Sequence, residues 1–125
     1  MTNVVTIVKS FGFSAAHFFP NMPEDHPYRR MHGHSFKVEL ALTGIPDPKF
    51  GWVQDFDQVS AAIAAVRETL DHNCLNDIPG LELPSLENIS IWLWQRLKGA
   101  LPALSCVTVS RDANGEACHY TGPVA

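Results

Sequence analysis

A chain of 125 residues fits one domain, here 1–125, and 46% hydrophobic against 18% charged residues describes a folded globular protein rather than a disordered one. A formal net charge of −4 without a basic block argues against a nucleic-acid partner. No apolar run nears the roughly 20 residues that cross a bilayer, and the start MTNVVTIVKS lacks a signal-peptide core, so a cytoplasmic protein with no membrane partner is expected.

In chain order, residues 4–17 read as a strand rich in Val, Ile and Phe, with Phe11, Phe13, Ala15 and His17 on one face. Pro20, Pro23 and Pro27 make 18–31 a loop. A long strand follows from His32 to Gly44, where Phe36, Val38, Leu40 and Leu42 alternate with Lys37, Glu39, Ala41 and Thr43. Ile45 to Gly51 is a turn, and Trp52 to Phe56 is expected to pair back as a short strand. Val59, Ile63, Val66 and Leu70 then follow the helical period, predicting a helix over Asp57–Leu70 capped by Asp55 or Asp57. A loop, Asp71 to Pro84, leads to a second helix over Leu86–Gly99, with Ser85 as N-cap and Ile89, Trp92, Leu93, Arg96 and Leu97 as its packed stripe. Cys106–Arg111 and Ala117–Tyr120 close the chain as a hairpin around Asn114-Gly115. The order is that of an α+β domain, a four-stranded antiparallel sheet with two helices on one face. Its other face and edges call for burial by oligomerisation.

The chemistry concentrates in histidines. His32 and His34 are two apart and project to one face of a strand, and His17 ends the neighbouring strand. Three such nitrogens with a fourth position open are the ligand set of catalytic zinc, whereas any one of them alone would read as a core or surface histidine. At the end of the first helix Asp71 and His72 offer a proton-transfer pair or, alternatively, a helix-end cap. Cys74 reads as a small packed side chain rather than a reactive thiol, and neither it nor Cys106 or Cys118 has metal or disulfide spacing. Glu87 lies in the first turn of the second helix, where the helix dipole alone favours a carboxylate. Arg111 alternates with Val107 and Val109, which puts a guanidinium on an apolar side. It is either a clamp for a carboxylate or phosphate or a structural ion pair.

Taken in order, Phe13-Ser-Ala-Ala-His17, His32-Gly-His34, Gly51-Trp-Val-Gln-Asp-Phe56, Leu70-Asp-His72 with Leu75-Asn76, and Pro84-Ser-Leu-Glu-Asn88 resemble the 6-pyruvoyltetrahydropterin and 6-carboxytetrahydropterin synthase family. The likeness runs from about Phe11 to Tyr120, and Ile78-Pro-Gly-Leu81 is similar to the bacterial carboxy-pterin branch. It implies the tunnelling fold, assembly through sheets into a barrel as a homo-trimer or homo-hexamer, and active sites near subunit boundaries. It further implies zinc on His17, His32 and His34, with Asp71 and His72 as the proton-transfer pair of a lyase acting on dihydroneopterin triphosphate or a related heterocycle.

Two positions depart from that pattern. Tyr28 stands four residues before His32, where the family usually carries a catalytic Cys, and a phenol with a pKa of about 10 is a poor base without activation. Arg111 stands where the family usually has a Glu that anchors the pterin ring, so an acceptor has become a donor. Either Asp112 or Glu87 then supplies the acceptor, or the substrate is an anionic molecule other than a pterin. A divergent zinc lyase, hydratase or isomerase, and a zinc-stabilised binding or oligomerising protein, are therefore the alternative functions.

Overall fold

The computed structural model describes residues 2–124. Strict alternation builds β1 (Val5–His17) and β2 (His32–Gly44), which pair antiparallel from Val5 opposite Gly44 to His17 opposite His32. Directly opposed residues share a face, so Phe13 meets Phe36 with ring centroids 4.9 Å apart, and Ala15 lies opposite His34. β3 (Leu104–Arg111) and β4 (Glu116–Tyr120) continue the sheet in the order β1-β2-β3-β4. Gly115, at φ +67°, supplies the left-handed residue that turns the last hairpin.

Between the two strand pairs run α1 (Phe56–Leu70) and α2 (Leu86–Leu97). The apolar stripe of α1, Val59, Ile63, Val66 and Leu70, is buried, as are Ile89, Trp92, Leu93 and Leu97 of α2. They close the core against Val38, Leu40, Leu42, Val107 and Val109, all wholly buried. Asp55 is the N-cap of α1, accepting from the Asp57 N–H, and Ser85 caps α2 through the Asn88 N–H. Among the described residues no helix is long and apolar enough to cross a membrane.

Three local expectations give way. Trp52 to Phe56 form no strand. The Asp47 carboxylate takes the N–H groups of Lys49 and Phe50, and the Asp47 N–H donates to the Trp52 carbonyl at 2.9 Å, so the loop satisfies its backbone within itself. The Asp55 cap then draws Phe56 into the helix. Arg96 is not part of the packed stripe: it is exposed, and its guanidinium lies 4.5 Å from the Trp92 ring centroid. α2 also stops two residues before Gly99, where Lys98 turns its ammonium onto the carbonyls of Pro102 and Leu104.

Candidate metal centre

The pairing of β1 with β2 sets His17 opposite His32 at the sheet's end, with His34 one step inward on the same face. The three rings stand 4.6 to 4.9 Å apart, centroid to centroid. Two backbone carbonyls fix the tautomers: His17 Nδ1 donates to Pro84 O at 2.9 Å, and His32 Nδ1 donates to Arg30 O at 2.7 Å. Each ring therefore keeps a lone pair on Nε2. A carbonyl behind a ligating imidazole is the usual support of a metal-binding histidine. His17 is 1% exposed, and its Nε2 is buried with no partner. An orphaned buried acceptor is costly, and a metal ion would satisfy it. One nitrogen from each histidine lies within 4.8 Å of the others, so the residues fit a three-histidine shell.

Burial, outweighing the Pro84 hydrogen bond, pushes His17 down from its ordinary 6.5 to about 4, and neighbouring His32, His34 and Arg111 add to the shift. His34 is also lowered, first by burial and then by Arg111. For a histidine kept neutral in the fold, the unfolded chain binds the proton first. Stability is then intact above the unfolded value, falls as pH drops below it, and levels off near the folded value. The metal-free protein is expected to lose on the order of 3 kcal/mol of unfolding free energy to His17 between pH 6.5 and pH 4. Urea titrations of wild type and His17→Gln check this, since the two should diverge over that window. Parallel curves would place the neutral imidazole elsewhere.

Beside the triad is a cavity of about 390 Å³ walled by Phe19, Tyr28, His32, His34, Arg111, Asn114 and Glu116. Tyr28 is exposed, held in a short 3-10 turn (Pro27–Arg29) whose cap is His26, with its ring centroid 6.5 Å from that of His32. Arg111, at the end of β3, donates from Nη2 to Glu116 Oε2 at 3.0 Å, and its Nη1 is 3.5 Å from His34 Nε2. Its Nε is buried without a partner. Glu87 and Asp112 are both exposed and outside this lining. The carboxylate in this lining is Glu116, which sequence reasoning missed. Extending β4 by one residue would have revealed it, because the hairpin register sets Glu116 opposite Arg111.

Asp71 and His72 do meet. His72 Nδ1 is 2.9 Å from Asp71 Oδ2, while Asp71 Oδ1 accepts the Ser14 N–H at 2.9 Å. That backbone hydrogen bond is the main reason the Asp71 carboxyl lies below its usual range, with His72 and Arg67 assisting. His72 has a φ of +59°, the one positive value among described residues other than glycine, and its N–H donates to Ser14 O at 2.6 Å. This left-handed step lays the segment along the outer edge of β1, where Cys74 bridges to Ala16. His72 opens on a second depression of about 520 Å³, lined in part by Ser14, Ser35, His72 and Cys74. His34 is common to the linings of both hollows, but within one chain the dyad and the cavity of Arg111 face different spaces.

The family model for 6-pyruvoyl tetrahydropterin synthase matches residues 6–123. The 6-carboxy-5,6,7,8-tetrahydropterin synthase of Synechocystis sp. is 34% identical over 121 residues, covering 92% of each chain. The dihydroneopterin monophosphate aldolase of Pyrococcus furiosus is 32% identical over 96 residues, 77% of each. Among solved structures, the 6-pyruvoyl tetrahydropterin synthase of Caenorhabditis elegans superposes with a TM-score of 0.88 over 98% of both chains, at 24% identity.

Proposed function

The chain belongs to the 6-pyruvoyl tetrahydropterin synthase family and has its α+β tunnelling fold, and we propose that it is a zinc-dependent lyase acting on dihydroneopterin triphosphate or a related heterocycle. The observation that carries this reading is the buried, unpartnered Nε2 of His17 converging with His32 and His34 beside a cavity of substrate size. Zinc held there supplies Lewis-acid polarisation of substrate oxygens, which eases proton loss from the adjoining carbon.

The chain's own residues divide the remaining work. Pro84 and Arg30 carbonyls hold His17 and His32 in their ligating tautomers. Phe19 and Tyr28, with centroids 6.0 Å apart, offer flat apolar walls to a ring. Arg111 sets a fixed positive group on the cavity wall. Asp71 orients His72 through Nδ1, leaving its Nε2 free to exchange a proton with substrate. Since the dyad and the cavity face different spaces in one chain, a complete site would take the cavity of one subunit and the dyad of another. A homo-trimer or homo-hexamer of a barrel-forming sheet provides such junctions.

The Pyrococcus furiosus relative favours a second reading within the same chemistry. An aldol-type cleavage needs a metal-polarised oxygen and a proton acceptor but no thiol, and Tyr28 stands where a thiol was expected. Mass spectrometry of zinc-loaded protein given dihydroneopterin triphosphate or monophosphate tests both. Triphosphate release with a carboxy- or pyruvoyl-tetrahydropterin product is the expected result. Aldehyde release from the monophosphate would select the aldolase reading, and no zinc-dependent turnover of either would overturn the lyase proposal.

A further inference from the structure

Arg111 makes an unusual neighbour for a metal centre. Its Nη1 lies 3.5 Å from His34 Nε2, one of the two ring nitrogens that His34 could offer a metal ion. Its Nη2 is held by Glu116, and its Nε is buried with no acceptor at all. Three neutral imidazoles bring no negative charge, so a dication bound to them would sit close to a guanidinium with Glu116 as the nearby counter-charge on this wall. With Nε2 as the ligating atom, the guanidinium would also lose its contact with His34. Two defects follow, uncompensated positive charge and unsatisfied buried N–H groups. One ligand chemistry removes both: an oxyanion with two oxygens, one turned to the histidine cluster and the other accepting from Arg111.

We propose that the cavity is an oxyanion site in which Arg111 determines specificity, selecting substrates that carry a carboxylate or phosphate next to the metal centre. Glu116 is the resident competitor for the guanidinium. It is about half exposed, and its carboxylate holds Nη2 at 3.0 Å until the substrate's anion replaces it. The faces of Phe19 and Tyr28 receive the rest of the molecule. This inference rests on the metal reading above.

Calorimetric titration of zinc-loaded protein with inorganic phosphate and with oxalate tests it, with zinc content measured on the same samples. At least one anion should bind, and Arg111→Gln should weaken it by about ten-fold or more at unchanged zinc content. Phosphate preferred over oxalate would assign a phosphorylated substrate, and the reverse a carboxylic acid. In cobalt-loaded protein the same anion should shift the visible spectrum of the metal. Glu116→Gln lies at an exposed position that the fold tolerates, and it should tighten anion binding several-fold. Equal affinity in wild type and Arg111→Gln, or no change in Glu116→Gln, would overturn the proposal. A wild type that takes no zinc would overturn the metal reading alone, because the dependence on Arg111 is then read on the metal-free protein.

Discussion

Replacing His32 by alanine is expected to remove stoichiometric zinc and every zinc-dependent turnover together. The position is the informative one of the three. His17 is wholly buried and packs edge-on against Phe19 and Phe36, so its loss would leave a hole in the core as well as an empty ligand place. His32 is only half-buried, and its polar bond is a single one to a loop carbonyl. Its removal should spare the fold. Loss of a partner that merely orients a ligand costs roughly 10–100-fold in metal affinity, so loss of a ligand itself should exceed about 100-fold. Metal analysis after dialysis, beside thermal melts of the apo forms, reads this directly. His119→Ala is the control, since His119 lies on β4 and bonds Thr108, away from the cluster. Full zinc content in His32→Ala would sink the three-histidine shell.

Why this histidine cluster was legible in the sequence follows from the period of a strand. Two histidines separated by one glycine must share a face, and the apolar residues that continue the alternation, Phe36 and Val38, fix which face that is. His17 follows from the same alternation through Phe13 and Ala15. The antiparallel register then aligns the two strand ends without further information. The helices were legible for a similar reason, since their buried stripes and the Ser85 cap are written in spacing and residue type.

What was hidden depends on conformations that residue type does not encode. The Asp71–His72 bond needs a left-handed histidine, a backbone state no spacing rule assigns to that residue. Glu116 became visible as Arg111's partner only once the hairpin register was fixed, because a shift of one residue would have turned it to the opposite face. Trp52 reads as strand by composition, but the Asp47 side chain and the Asp55 cap meet the local backbone demands first.

For the dyad, His72→Gln is expected to lower the proposed zinc-dependent turnover by roughly 10²–10⁴-fold while leaving zinc content unchanged. The side chain is 82% exposed, so nothing in the core depends on it, and glutamine retains a polar group beside Asp71. Asp71→Asn should cost less. An amide oxygen can still take the Ser14 N–H and hold the edge of β1, but the carboxylate that holds His72 Nδ1 is gone. A conventional assay cannot separate a dyad working within its own chain from one serving a neighbouring subunit, whereas mixing variants can. His32→Ala lacks the metal shell and keeps the dyad, and His72→Gln has the reverse defect. If each site joins the cavity of one subunit to the dyad of the next, reassembly of equal amounts should restore about one quarter of wild-type turnover, the chance that a junction pairs two intact halves. Recovery at that level would explain why His72 faces away from the Arg111 cavity in the single chain. Absence of any recovery from reassembled oligomers would mean that the two halves do not combine across subunits, and would turn attention to His34, which lines both hollows of one chain.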